Sequence, residues 1–251
     1  MVGVRVLVNG MIMAAEFAAV VGAAWLGLHH PQAFAALTAA LALALGLVLE
    51  YRRLEHELPF YFGKRSSRAA LVVPLVAGVN ALIRAGVAGL IALVTFSGTD
   101  KDRLFLIAIV FAATVYLGSA LLRFLAVRLE AWPSRWGYFR LAPPLGLLFA
   151  LGVAALGSVG LVKTPGLSDL GRTILFETPS RPTLEQASEL LFQLKLYIDG
   201  VIVKLLSTVV GTDWANSIGV IVSVNVLTGF VAAVYAVIIA EAVVGTEDRL
   251  L

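Results

Sequence analysis

The chain has 251 residues, of which 60% are hydrophobic and 14% are charged, and its formal net charge is +3. Soluble domains carry about 25% charged residues, so this composition indicates a membrane protein. The absence of cysteine excludes a disulfide framework, cysteine-ligated zinc, an iron–sulfur cluster and a thiol nucleophile.

Apolar stretches long enough to cross a bilayer follow one another along the chain. A spanning helix needs about 20 apolar residues, and backbone groups in hydrocarbon must be hydrogen-bonded within their own segment. The pattern predicts an all-α, polytopic transmembrane bundle forming a single membrane domain, residues 1–251, with six spanning helices and one external amphipathic or re-entrant helix. The predicted spans are residues 6–28, 33–51, 69–98, 104–128, 141–162 and 214–241.

Charged side chains are rare inside these stretches. Glu16 lies near the middle of the first span and Arg84 near the middle of the third, while Asn80 precedes Arg84 by one turn and Asn225 lies in the last span. A charge at mid-membrane costs about 2.5–3.5 kcal/mol, so such residues are functional candidates. Either Glu16 titrates in an ion or proton path, or Glu16 and Arg84 form a buried ion pair that fixes helix packing. We favour the pair, because conduction paths contain chains of polar groups.

Basic residues are concentrated in the loops on one side of the predicted membrane. These residues are Arg52, Arg53, Lys64, Arg65, Arg68, Arg123, Arg128, Arg135 and Arg140, whereas the short loops opposite contain Lys101 and Arg103. The positive-inside rule places the first set in the cytoplasm, so both termini are predicted to be cytoplasmic and residues 163–213 external. The basic bias reflects topology, and we expect no nucleic-acid partner. The predicted location is a bacterial or archaeal cytoplasmic membrane.

Glycine recurs in the third and fifth predicted spans. The positions are Gly78, Gly86 and Gly89, and then Gly146, Gly152, Gly157 and Gly160. Small residues let helix backbones approach closely in lipid, so this spacing predicts tight packing within the bundle.

The external segment 163–213 contains a predicted amphipathic helix over residues 183–210. Thr183-Leu184-Glu185-Gln186 fits a capping box, with Thr183 as the N-cap and Gln186 reaching back to it. Apolar residues then recur at spacings of three and four, which is helical periodicity. Five charged residues argue against a lipid-facing span. The helix is predicted either to lie on the membrane surface or to dip into the bilayer where other protein surrounds it.

The end of this helix resembles the pore region of pore-loop cation channels, which have six spans. Ser207-Thr208-Val209-Val210-Gly211-Thr212-Asp213 resembles the filter, and the long last helix with Gly229 in its middle resembles the inner helix. The resemblance covers residues 163–241 and implies that Thr208, Val209, Val210, Gly211, Thr212 and Asp213 form a pore loop. The potassium filter reads Thr-Val-Gly-Tyr-Gly-Asp, and its glycines are not matched here, so the carbonyl ring that confers selectivity is in doubt.

No motif in the sequence indicates catalysis. His29, His30 and His56 lack the spacing of a metal or haem pair within a span, and no phosphate loop, nucleophile elbow or His-Glu-x-x-His motif is present. We expect a non-enzymatic protein with no cofactor, no metal site and no catalytic residue. The favoured function is a helix-bundle subunit or scaffold of a larger membrane assembly, with the lipid bilayer and other membrane subunits or copies of itself as partners. The alternatives are a pore-loop cation channel and an ion- or proton-coupled transporter using Glu16 and Arg84.

Overall fold

The secondary structure is known for most of the chain from a computed structural model, which describes residues 2–62, 69–130, 132–162, 183–211, 215, 218–219 and 223–250. These residues form helices and no strand. The long helices are α1 (Val2–His29), α2 (Pro31–Phe62), α3 (Ala69–Thr95), α4 (Lys101–Leu129), α5 (Pro133–Ser158), α6 (Leu184–Val210) and α7 (Thr228–Leu250), and a 3-10 helix (Val224–Leu227) precedes α7. The predicted all-α fold is confirmed.

Six of these helices are long and apolar enough to cross a membrane, which makes the chain a multi-pass membrane protein. The candidate spans are Val6–His29, Pro31–Glu57, Val73–Thr95, Lys101–Leu129, Arg140–Ser158 and Val224–Leu250. Among the described residues the last candidate span begins at Val224, where the Ser223 hydroxyl accepts a hydrogen bond from the Asn225 N–H and caps the 3-10 helix. The predicted start at residue 214 lies outside the described residues.

Local sequence signals set the ends of several helices. The Asp100 carboxylate caps α4 by accepting hydrogen bonds from the N–H groups of Asp102 and Arg103, both at 3.2 Å. Glu130 ends the same helix in the left-handed conformation, with φ of 51°. Pro133 begins α5, where its missing N–H costs no hydrogen bond. The Asp100 cap therefore sets the start of α4, and Glu130 and Pro133 set the end of α4 and the start of α5.

Helix α7 lies at the centre of the bundle and packs against α1, α2, α3, α4 and α5. Its residues from Val231 to Val237 are all buried, which is the pattern of a helix that is apolar on every side. Small side chains such as Ala232 and Ala236 let the neighbouring helices approach it closely. The other spans keep one face on this core and leave large apolar residues exposed on the opposite face.

A close helix approach joins α5 to α7 and the 3-10 helix. A Cβ atom added to Gly146 would overlap the carbonyl oxygen of Val226, and one added to Gly229 would overlap the carbonyl oxygen of Ala142. Tight packing at Gly146 is therefore confirmed. It is wrong for Gly78, Gly86 and Gly160, where an added Cβ would meet nothing within 4 Å. Gly78 and Gly86 lie away from the faces of α3 that contact other helices.

Four buried aromatic rings meet where α2, the α3–α4 connection, α4 and α7 come together. Phe34 stacks on Tyr235 with ring centroids 5.3 Å apart, and Phe96 and Phe111 pack edge-on against Phe34 at 5.1 and 5.6 Å. The Thr38 hydroxyl donates to the Phe34 carbonyl at 2.7 Å, so the Tyr235 hydroxyl donates to Thr38 at 3.0 Å. This hydrogen bond satisfies the phenol inside the apolar core and fixes the height of α7 against α2.

Helix α6 begins at the predicted capping box. The Gln186 N–H donates to the Thr183 hydroxyl at 3.3 Å, and the Thr183 N–H donates to the Gln186 side chain at 2.9 Å. Both reciprocal bonds of the motif are present. The predicted helix over residues 183–210 is thereby confirmed in its position and in the way it starts.

Helix α6 lies across the end of the bundle where α4 begins. The Gly98 N–H donates to the Ser188 hydroxyl at 3.0 Å, and the Arg103 guanidinium lies 3.7 Å from the centre of the Phe192 ring. Two turns further along, the Asp199 carboxylate accepts from the Val224 N–H at the start of the 3-10 helix. These partners belong to the α3–α4 connection, the first turn of α4 and the entry to α7, so α6 covers helix ends and does not run alongside one span.

Candidate functional site

Buried charged residues form three separate groups, each of which joins different helices. We call them the Glu16 network (Glu16, Ser119, Arg123, Glu247), the Glu50 network (Glu50, Arg53, Glu57, Arg84) and the Lys195 cluster (Arg103, Glu189, Lys195, Asp199). A buried charge is costly unless it is paired and hydrogen-bonded. The partners in each group therefore determine what the group can do.

The Glu16 network joins α1 to α4. Only 2% of Glu16 is exposed, and both of its carboxylate oxygens accept hydrogen bonds. The Ser119 hydroxyl donates at 2.7 Å, and the Arg123 guanidinium donates at 2.6 Å. Ser119 and Arg123 lie one helical turn apart on α4, so they reach the same partner. Charge-assisted bonds of this kind are among the stronger hydrogen bonds in proteins.

Arg123 also extends the network to α7. A second guanidinium nitrogen donates to Glu247 at 2.8 Å, so one cation serves two carboxylates. The Nε atom of Arg123 is buried and makes no hydrogen bond in the described part of the chain. The side chain of Glu247 is about a quarter exposed, whereas that of Glu16 is buried. The network therefore runs from a buried carboxylate towards the accessible end of α7.

The predicted pair between Glu16 and Arg84 is wrong. Arg84 instead forms a short ion pair with Glu50 of α2, which is only 2% exposed. The physical reason is the helix arrangement, because α3 packs mainly on α2 whereas α1 packs mainly on α4. Arg53 lies 3.9 Å from the same carboxylate and donates to Glu57 at 2.7 Å, but it is largely exposed. The two charges singled out from the sequence belong to different networks.

The two predicted polar positions Asn80 and Asn225 also lie apart. Asn80 is half-buried on α3, and Asn225 is buried in the 3-10 helix. The Asn225 N–H is used in capping by Ser223, and its carbonyl accepts from the Thr228 N–H. Asn225 therefore supports the start of α7, and it is not brought together with Glu16 or Arg84.

Sequence reasoning missed Glu50 and Arg123, because each stands at the edge of an apolar run. The sequence nevertheless contains a helical pattern that places both residues on buried faces. Glu50 continues a stripe of buried small residues, Ala42 and Gly46, at a spacing of four, and Gly46 packs against Ala81 of α3. Arg123 likewise follows the buried residue Ser119 at a spacing of four. Such stripes mark the face that meets another helix.

The Lys195 cluster lies between α6 and the end of the bundle. Lys195 is 6% exposed, and its ammonium interacts electrostatically with Arg103 and Asp199. Burial and, to a smaller extent, the positive charge of Arg103 lower the pKa of Lys195 to about 8, against the opposite effect of Asp199. Burial also raises the pKa of Asp199, against the effect of its bond from Val224. Lys195 and Asp199 of α6 therefore face its own bundle, whereas Glu185 and Lys204 are exposed.

Apolar residues occupy the opposite face of α6. The exposed large apolar side chains here are Leu194, Tyr197, Ile198, Leu205 and Val209, and we call this set the α6 outer face; Lys204 is exposed beside them. The hydroxyl groups of Ser207 and Thr208 donate back to the carbonyls of Lys204 and Leu205, both at 2.7 Å. An apolar exposed face with a charged buried face is the reverse of a helix that lies on a soluble domain.

The residues of the predicted pore loop are only partly described. Thr208 and Val209 are exposed on the last turn of α6, and Gly211 ends the helix with φ of 87°. The side chain of Val210 and the residues Thr212 and Asp213 lie outside the described residues. The pore-loop interpretation stays a prediction.

No group of three histidine, aspartate or glutamate side chains forms a possible metal site in the part of the chain that the structure describes. Comparisons with protein-family models, with curated proteins and with solved structures find no match to this chain. The fold and the site together define a six-span helical membrane protein with buried ionic networks between its helices.

Proposed function

We propose that this chain is a non-catalytic helix-bundle subunit of a larger membrane assembly and that it packs against neighbouring subunits through the α6 outer face. The observation that carries the proposal is the orientation of α6. Its charged residues Lys195 and Asp199 are buried against its own bundle, whereas Tyr197, Leu205 and Val209 are exposed. A helix with this orientation needs an apolar partner on its outer side.

The position of α6 favours protein as that partner. The helix contacts the ends of spanning segments, at Gly98, Arg103 and Val224, where the apolar part of the bundle gives way to connecting segments. Exposed apolar patches on such surfaces mark interaction sites. Tyrosine is enriched in the energetic centres of interfaces, so Tyr197 is the expected anchor. The partners are other membrane subunits or copies of this chain.

The ion pairs of the spanning helices support a packing role for the buried charges. Glu16 is bound by Arg123 of α4, and Glu50 is bound by Arg84 of α3. Each pair joins two different helices. A paired charge holds its helices in one arrangement, because removing either member leaves the other buried without a partner.

The test is the native mass of the protein purified in a mild detergent. We expect a mass above that of one chain, and we expect Tyr197→Ala combined with Leu205→Ala to shift the protein towards a single chain. The matched control is Leu82→Ala, which shortens an exposed leucine on α3 and should leave the mass unchanged. A single-chain mass for the unmodified protein in native lipid, or an unchanged mass for the double variant, would contradict the proposal.

A second candidate is proton-coupled transport through the Glu16 network. It is favoured by one observation, the connection of buried Glu16 through Arg123 to the partly exposed Glu247. Intramembrane carboxylates in such networks act in proton relays. Vesicles containing the purified protein and a pH-sensitive dye would then show proton flux that Glu16→Gln abolishes. Arg84→Gln lies outside the network and serves as the control, and flux that survives Glu16→Gln would remove this candidate.

A further inference from the structure

A groove opens on the outer surface of the bundle between α2 and α3. It has a volume of about 360 Å³, and it is lined by Leu47, Val48, Tyr51, Arg52, Pro74 and Ala77. This volume is within the range of about 300–1,000 Å³ that is typical of ligand pockets. Except for Tyr51 and Arg52 at one end, its walls are apolar side chains.

The shape of the groove follows from the residues of α3. Pro74 lies inside this helix and lacks the N–H that would bond to the preceding turn, which bends a helix. Ala77, one turn further, presents only a methyl group. The wall contributed by α2 is partly exposed, since Leu47, Val48 and Tyr51 are 40%, 54% and 47% exposed. The groove is therefore open towards the surroundings of the bundle.

Arg52 is the charged residue at the rim of the groove. It is exposed, and among the described residues its guanidinium has no carboxylate partner. The neighbouring acids are engaged elsewhere, because Glu50 pairs with Arg84, Glu57 accepts from Arg53, and Glu55 also has a partner. The Arg52 carbonyl accepts from the His56 ring at 2.8 Å, which concerns the backbone only. A positive charge is thus left uncompensated at this rim.

The height of Arg52 along α2 matches a lipid headgroup. Residues 33–49 of this helix contain no charged side chain, whereas residues 50–57 are rich in them. The change from apolar to charged sequence marks the boundary of the hydrocarbon. Arg52 lies just beyond that boundary, and Tyr51, whose ring is apolar and whose hydroxyl is polar, suits the same position.

We propose that this groove binds one anionic phospholipid of the bilayer. The phosphate lies against the Arg52 guanidinium, whose fork of N–H donors matches phosphate oxygens in pairs. The hydroxyl of Tyr51 is placed to donate to the same headgroup, and one acyl chain lies along Leu47, Val48 and Pro74. Basic sites between transmembrane helices on the predicted cytoplasmic side select anionic headgroups in this way.

The test compares two lipids with identical acyl chains, phosphatidylglycerol and phosphatidylcholine, in native mass spectrometry of the detergent-purified chain. We expect the unmodified protein to retain phosphatidylglycerol preferentially, and we expect Arg52→Gln to weaken that retention about fivefold. The control is Arg128→Gln, which removes the same charge from an exposed position on α4 and should leave retention unchanged.

A second variant tests the apolar part of the site. Val48→Phe fills the groove from an exposed position without changing charge, and it should also lower retention of phosphatidylglycerol. Unchanged unfolding temperatures would show that both variants fold. Equal retention of the two lipids, equal losses for Arg52→Gln and Arg128→Gln, or full retention by Val48→Phe would each overturn the proposal.

Discussion

Arg123 donates a hydrogen bond to Glu16 at 2.6 Å, although 107 residues separate the two in the chain. The same guanidinium donates to Glu247 at 2.8 Å. One side chain of α4 therefore forms hydrogen bonds with both α1 and α7. Because Glu16 is almost fully buried, Arg123 supplies the hydrogen bond and the counter-charge that its carboxylate cannot obtain from water.

Arg123→Gln should lower the free energy of unfolding by about 3–5 kcal/mol, since it leaves the Glu16 carboxylate buried without a counter-charge. Adding Glu16→Gln should recover part of that loss, because the unpaired charge is then gone. Denaturant unfolding in detergent measures both effects.

The control cycle combines Glu16→Gln with Arg84→Gln, which belong to different networks. The costs of these two substitutions should add within about 0.5 kcal/mol. Simple additivity for Glu16 and Arg123 would contradict the contact between them.

Arg84→Gln should destabilise the bundle more than Arg53→Gln, although both arginines approach Glu50. Arg84 is the closer and less exposed partner, so its loss should cost about 2–3 kcal/mol, somewhat less than for a fully buried pair. Arg53 lies 3.9 Å away and is mostly exposed, so its loss should cost about 0–1 kcal/mol. The unfolding free energies of the two single variants test this difference, and equal losses for Arg84→Gln and Arg53→Gln would contradict it.

Gly229→Ala should force α5 and α7 apart, because the new methyl group would overlap the carbonyl oxygen of Ala142. Overpacking of this kind costs about 1–3 kcal/mol. Gly86→Ala is the matched control, since nothing lies within 4 Å of its added Cβ. That control should leave the unfolding temperature unchanged or raise it slightly. The close approach would be refuted if both variants melted at the temperature of the unmodified protein.

The buried ammonium of Lys195 should make stability depend on alkaline pH. Its pKa is about 8 in the folded protein, against an ordinary value of 10.5 for a lysine in an unfolded chain. Between these values the unfolded state binds the proton and the folded state does not, so stability should rise as pH increases from about 8 to about 10.5. The gain is about 3 kcal/mol at most.

Unfolding free energies measured across this pH window test the effect. Lys195→Met should abolish the Lys195 contribution to the slope, whereas Lys204→Met, at an exposed position on the same helix, should keep it. A slope that is the same in both variants would show that Lys195 is not its source.

The cysteine-free chain allows a direct test of topology. Thr99 precedes α4 and Glu130 follows it, and both are exposed. Because α4 is long enough to span the membrane, Thr99→Cys and Glu130→Cys should react with an impermeant maleimide from opposite sides of sealed vesicles. The basic loops predict that residue 130 is on the cytoplasmic side. Labelling of both from one side would contradict the spanning of α4.

The spans and α6 were predictable, because the bilayer imposes length and polarity on each segment separately. The capping box at Thr183 is likewise a local signal, and it formed as predicted. Partners for Glu16 and Arg84 were not predictable by the same reasoning. A residue's place along a helix is local information, whereas its partner depends on which helices are neighbours.

The glycines illustrate the same limit. Gly146 and Gly86 both lie in apolar helices, yet one meets a backbone carbonyl and the other meets nothing. Only the rotation of each helix about its axis distinguishes them. The inward charges of α6 were also missed, because a strongly charged helix is expected to turn those charges towards water.

The central place of α7 has a consequence for biosynthesis. This helix contacts five others, yet it follows all of them in the chain. During translation the five earlier spans enter the membrane without the segment on which they pack. Until α7 arrives, Phe34 and Phe111 lack the Tyr235 ring, and Arg123 lacks Glu247. The newly inserted helices are therefore most open to quality-control proteases until α7 joins them.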